Sequence, residues 1–262
     1  MKEIDFERVK NDCVEWIRNW FEENGKGCNA VIGLSGGKDS TIVAALCVEA
    51  LGKNRVIGVA MPDTLQGLND ADKIAEYLGI KFINAPIGRI TTEFHDLFHE
   101  VPMTEQTIQN IPPRVRMATL YAIAQTYNGR VSCNCNLSED YIGYSTMFGD
   151  NAGAFAPLAN LTVTEVRNLG HALGLPDEWV EKTPDDGLPN SSPDEAKFGF
   201  TYKVLDEYIR TGRCDDKEVK AKIDARHDRN LFKLLAVRIP APNPFGGYTL
   251  AQQAEKFEID DE

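Results

Sequence analysis

Apolar side chains recur at steps of three and four along the first two dozen residues. Phe6, Val9, Cys13, Trp16, Ile17 and Trp20 share one face of a helix expected over residues 4–24. The period then changes. A short apolar run from Ala30 to Leu34 leads through a glycine-rich turn into a helical stretch from Ser40 to Leu51, a strand, a loop and a helix. A strand over 55–61 follows, then a helix opening at Asn69, whose side chain is placed to cap the free amides of ADKIAEYLG, and a strand over 81–85. A helix over 114–127 and a strand over 130–134 continue the alternation. Residues 150–200, rich in Gly, Pro, Asn and Asp, are expected to be mainly loop; the chain from 201 reads as helical until Pro240, and the tail beyond about 240 as irregular and acidic at its end.

Strands joined by connections of a dozen or more residues that contain helices cannot be hairpins, so they should lie parallel with right-handed crossovers. The fold class expected is α/β, a doubly wound parallel sheet flanked by helices, as one domain over residues 1–262.

Composition narrows the partners. Hydrophobic residues make up 42% of 262, enough for one substantial core, and 28 basic against 40 acidic residues give a net charge of −12. Such a surface repels phosphate backbones, which argues against nucleic acid as a partner. An anionic ligand must therefore be caught locally, by backbone amides, a few cations or a metal. The six cysteines form no disulfide framework, MKEIDFERVK lacks the apolar core of a signal peptide, and no apolar run approaches the ~20 residues that cross a bilayer. A reduced, cytoplasmic protein with no membrane span is expected.

The sharpest feature is GLSGGKDS at 33–40, between an expected strand and an expected helix. Gly33, Gly36 and Gly37 let the backbone turn tightly and bring its amides to phosphate oxygens at the positive end of a helix, and Ser35 and Ser40 add hydroxyls. Leu34 and Lys38 complete the candidate ATP-binding stretch. Asp39 would repel a phosphate directly, but is well chosen to hold a Mg²⁺ that bridges phosphates. A P-loop needs four residues between its glycines and Ser or Thr after the lysine, whereas three separate Gly33 from Gly37 and Asp39 follows Lys38. The dinucleotide fingerprint fails too, because Gly36 and Gly37 are adjacent.

The stretch resembles the SGGxDS loop of the N-type ATP pyrophosphatases, which cleave ATP between the α- and β-phosphates. NIPPRVRMATLYAIA (110–124), NLSEDYIGYSTMFGD (136–150) and SPDEAKFGFTYKVLDEYI (192–209) resemble, in order, three further blocks of the ammonia-dependent NAD synthetases. The resemblance implies an adenine nucleotide alpha-hydrolase-like fold and a two-step reaction. ATP adenylates the carboxylate of nicotinate-adenine dinucleotide with release of pyrophosphate, and ammonia then displaces AMP. It further implies Asp39 and Glu139 as Mg²⁺ ligands, Arg114 and Asp150 in substrate binding, and a homodimer with the substrate near the subunit boundary. No stretch is left for a glutamine-hydrolysing domain, so ammonia is expected to enter directly or from another protein.

The match also breaks. Asn134 stands where the family has a threonine that contacts ATP, and Met147 and Val163 stand where it has lysines. Ala154 replaces a substrate-binding aspartate and Asp185 a hydroxyl residue. Either a divergent member recruits other cations, or the chain takes a different carboxylate, or it binds nucleotide with little catalysis.

Other signals carry less. Cys133 and Cys135 are too few for a closed zinc site and are assigned a structural role. His95 and His99 have helical spacing but lack the glutamate of a zinc protease, and are assigned to a solvated helix face. His227, in DARHDRN, is placed on the surface, and Trp16, Trp20, Phe94 and Phe98 are assigned to packing. The acidic stretches 214–218 and 258–262 read as solvated.

Overall fold

The computed structural model describes residues 4–63, 70–182, 194–236 and 244. Helix α1 (Phe6–Asn24) is capped by Asp5, whose side chain accepts from Arg8 N–H, and buries Val9, Cys13, Ile17 and Phe21. Strand β1 (Asn29–Gly33) leads through the glycine-rich loop into α2 (Lys38–Leu51), so the helix begins two residues earlier than its apolar pattern suggests. Strand β2 (Val56–Ala60), α3 (Ala71–Leu78) and β3 (Lys81–Asn84) follow. Asp70 is the residue that precedes α3, and Asn69, expected to cap it, lies outside the described residues.

Helix α4 (Gly88–Leu97) precedes α5 (Glu105–Thr126), which starts nine residues before the expected position. Pro112 and Pro113 lie inside it. Each removes one amide donor and costs up to about 3 kcal/mol in a helix interior. The Thr104 cap, which accepts from Thr107 N–H, and the burial of Ile111, Pro112, Val115 and Leu120 carry the helix through that break. Strand β4 (Gly129–Val131) is shorter than expected, and the extended chain continues past it as a single bridge, Ser132 to Phe155.

The described residues of 150–200 are divided between irregular chain and helix. They include α7 (Val163–Ala172) and α8 (Asp177–Val180), after α6 (Leu137–Tyr141). Thr162 and Glu165 form a reciprocal capping box that starts α7. Helix α9 (Asp194–Phe198) leads to α10 (Tyr202–Thr211), which ends at Gly212, and to α11 (Lys217–Ala236). The expected irregular tail and Asp185 fall outside the described residues, Pro244 apart.

All four strands are parallel, in the order β3-β2-β1-β4. One core lies between the sheet and α1, α2 and α7, with Trp16 and Trp20 packed against it. A second, built from Val31, Ile57, Val59, Val115 and Leu120, lies between the sheet and α5. The chain moves outward from β1 to β2 and β3, then returns to place β4 on β1's other side. The order therefore reverses between β1 and β4, and the crevice beyond their C-terminal ends is where such sheets bind ligands.

Candidate functional site

Two loops open into that crevice. The first, after β1, turns at Gly36, whose φ of +79° is natural to glycine. Ser35 Oγ accepts from Gly37 N–H at 3.2 Å and contacts Ser40 Oγ at 3.2 Å. Ser40 and Thr41 donate to the Gly37 carbonyl at 3.1 and 2.8 Å. These bonds fix the loop against α2, whose first-turn amides have no intrahelical acceptor and carry the positive end of the helix dipole. Gly33 ends β1 and packs on Leu120, so its role is close approach of strand and helix.

The second loop follows β4. Asn134, at the position where a threonine was expected, donates to the Gly33 carbonyl at 3.1 Å and accepts from Ser132 Oγ at 2.8 Å, joining the two strand ends. Asn136 caps α6 by accepting from Glu139 N–H at 3.1 Å, and donates to Asp39 Oδ1 at 3.3 Å. The two acidic residues picked out in sequence, 100 positions apart, thus share one crevice. Desolvation and then the negative charge of Asp39 push the Glu139 carboxyl up to about 8. Burial alone would lower the Lys38 ammonium, but Asp39, bonded at 2.7 Å, and Glu139 outweigh it and hold Lys38 above the ordinary lysine value.

Two converging carboxyl groups, with Glu139 held above its ordinary value by burial and by the charge of Asp39, offer oxygen donors only and suit a hard divalent cation. Among the described residues no set of three or more His, Cys, Asp or Glu could hold a metal. A cation here would therefore take its remaining ligands from phosphate oxygens or water, as Mg²⁺ does.

Arg114 and Asp150 each bond to the loop that follows α6. Arg114 is exposed on α5 and donates from Nε to the Met147 carbonyl at 3.3 Å. Asp150 Oδ1 accepts from Thr146 N–H at 2.7 Å, while its carbonyl oxygen receives Cys133 Sγ at 3.5 Å and Cys135 Sγ at 3.4 Å. Both thiols are buried and free, which agrees with a structural role. Val163 is fully buried as the first residue of α7, and Ala154 packs against the first core.

The structure corrects two assignments. His227 is buried at 8% exposure, stacks on Tyr141 with ring centroids 4.0 Å apart, and places Nδ1 2.8 Å from the Tyr141 carbonyl. Phe94 and Phe98 are not core residues, being 40% and 41% exposed. With Ile90, Val101, Ile111 and Val115 they line an apolar groove of about 670 Å³ whose rim includes Arg114. Sequence reasoning missed Asn136, although an Asn directly before LSED is a capping signal. It also did not single out Lys182, which reaches the glycine-rich loop from 146 positions away.

Comparison with known proteins decides the family. The NAD synthase family model matches residues 9–237. This chain belongs to the NAD synthase family. A relative from Methanococcus aeolicus, named NH3-dependent NAD+ synthetase, is 41% identical over 194 residues, covering 72% of this chain and 75% of that protein. Among solved structures, the NMN synthetase of Francisella tularensis superposes with a TM-score of 0.81 at 30% identity, covering 88% of this chain and 96% of that one. The NH3-dependent NAD synthetase of Campylobacter jejuni superposes with a TM-score of 0.74 at 27% identity over the same shares. As a member of this family the chain is a ligase, and ATP is its co-substrate. No described helix is long and apolar enough to cross a membrane.

Proposed function

We propose that this NAD synthase amidates nicotinate-adenine dinucleotide with ammonia at the expense of ATP. The observation that carries this reading is the convergence of the glycine-rich loop, Asp39 and Glu139 at the point where strand order reverses. The substrate carboxylate attacks the α-phosphorus of ATP and pyrophosphate leaves. Ammonia then attacks the acyl carbon of the adenylate, loses a proton, and AMP departs. The glycine-rich loop and the α2 N-terminus bind phosphate oxygens, with Ser35 and Ser40 holding the loop's shape. Asp39 and Glu139 would hold Mg²⁺, which when bound neutralises charge on the departing pyrophosphate. Asn136 keeps the two carboxylates in one place, and Arg114 pairs with a phosphate or carboxylate of the dinucleotide. Asp150 contributes to the substrate-binding loop it closes through Thr146.

The working unit in this reading is a homodimer. Ile90, Phe94, Leu97, Phe98, Val101 and Ile108 are all at least 40% exposed on α4, α5 and the chain between them. A continuous apolar face of this kind is costly to leave in water, and a second copy of the same face covers it by two-fold symmetry. Arg114 on its rim would then stand near the subunit boundary. The acidic surface argues against nucleic acid, and free cysteines suit a reducing cytoplasm.

A second reading is favoured by the likeness to the Francisella tularensis NMN synthetase. Nicotinate mononucleotide carries the same reacting carboxylate without the adenylate half, and at Met147, Ala154 and Val163 this chain lacks two lysines and a substrate-binding aspartate that the resemblance to the dinucleotide-using enzymes implies. Pyrophosphate release from ATP, measured with ammonium and either nicotinate-adenine dinucleotide or nicotinate mononucleotide, tests both. Turnover with the dinucleotide supports the first reading. Release with the mononucleotide alone replaces it, and release with neither removes both.

A further inference from the structure

A cation outside the motif bonds directly to the glycine-rich loop. Lys182, just past α8, donates from Nζ to the Gly36 carbonyl at 2.9 Å and pairs with Asp70 Oδ2 at 3.1 Å, and its side chain keeps 37% exposure. Lys38, inside the motif, is 3% exposed and bonded to Asp39 at 2.7 Å. The loop's own lysine is thus buried and committed to the motif's carboxylate. Lys182 is partly exposed, and its carboxylate partner, Asp70, lies outside the motif.

Its present partners are easily exchanged. Asp70 also accepts Lys73 Nζ at 3.1 Å, so it keeps a cation if Lys182 leaves. Gly36 contributes a neutral carbonyl, whereas phosphate oxygens are charged acceptors and bond an ammonium more strongly. A lysine side chain is long and rotatable enough to move between such partners at the mouth of one loop.

We propose that Lys182 is a phosphate-binding residue for ATP, moving from Asp70 to the terminal phosphates and staying with them as they leave as pyrophosphate. The inference rests on the reading of the loop as the ATP site, and supplies a cation there from beyond GLSGGKDS.

The test compares wild type with Lys182→Gln, Lys182→Arg and Asp70→Asn, after melting curves have shown which variants are folded. The readouts are KM for ATP, KM for the carboxylate substrate, and product inhibition by pyrophosphate and by AMP. Lys182→Gln is expected to raise KM for ATP and the pyrophosphate inhibition constant by roughly tenfold to a hundredfold, the loss of one charge-assisted contact. AMP inhibition and the other KM should stay within about twofold. Lys182→Arg should restore most of the loss, and Asp70→Asn, which frees the ammonium, should leave pyrophosphate inhibition as strong or stronger. Equal effects on AMP and pyrophosphate would reveal a merely structural tie, and no effect would leave Lys182 without this role; either overturns the proposal. Should wild type prove unable to amidate the dinucleotide, calorimetric binding of magnesium pyrophosphate to wild type and Lys182→Gln decides it separately, equal affinities counting against it.

Discussion

Asn136 donates its side-chain amide to Asp39 Oδ1 at 3.3 Å. Its other amide atom accepts from Glu139 N–H, so one neutral side chain fixes an acidic residue from each of the two loops. Asn136→Asp separates these duties. Aspartate caps a helix as well as asparagine, so stability should change by less than about 1 kcal/mol. The donor to Asp39 is replaced by a third negative charge, and turnover should fall at least tenfold. Melting temperature and steady-state rate together check this.

Asp39→Asn should abolish turnover while leaving the fold intact, since an amide keeps the size but loses the charge that holds a hard cation. It also loosens Lys38, so the check is a melting curve beside a titration of activity against Mg²⁺. Near wild-type activity at limiting Mg²⁺ would remove Asp39 as a ligand.

Asp206 ties three helices together. It accepts from Ser138 Oγ at 2.5 Å and from Thr164 N–H at 2.8 Å, and desolvation holds its carboxyl above the ordinary aspartate value despite those bonds. Because the folded pKa is raised, the folded state binds the proton more tightly than the unfolded chain. Its contribution to stability is full below the unfolded value of about 4 and is lost as pH rises through the folded value. Melting temperature should therefore fall with rising pH more steeply in wild type than in Asp206→Asn across that window, and parallel curves would count against the assignment.

The apolar groove predicts assembly. Phe94→Glu with Phe98→Lys places charge on residues already 40% and 41% exposed, so the fold should survive. The double variant should run as a monomer in light scattering where wild type runs as a dimer. A wild-type monomer would dismiss the shared-face arrangement.

Arg114→Ala should raise KM for nicotinate-adenine dinucleotide far more than KM for ATP, by roughly tenfold to a hundredfold if a charge-assisted contact worth about 1.5–3 kcal/mol is lost. Among the described residues its hydrogen bond is to the Met147 carbonyl, and the side chain is exposed, so stability should change little. Equal weakening of both substrates would separate Arg114 from the dinucleotide.

Local pattern alone determined the alternation of strands and helices, the parallel sheet and the position of GLSGGKDS between β1 and α2, because period and glycine placement are properties of neighbouring residues. It misplaced what depends on distant surfaces. Nothing near Pro112 and Pro113 reveals that buried contacts carry α5 through them, and a Gly- and Pro-rich composition hid α7, whose start is fixed by two residues, Thr162 and Glu165. Phe94 and Phe98 have the spacing of core residues, but no described element of this chain covers them; His227 looks solvated in a charged run until Tyr141 stacks on it. The order of strands brought Asp39, Asn136 and Glu139 into one crevice and Lys182 to the lip of the loop. Such meetings are set by how helices pack across a sheet, an energy summed over the whole core, and no window of sequence contains it.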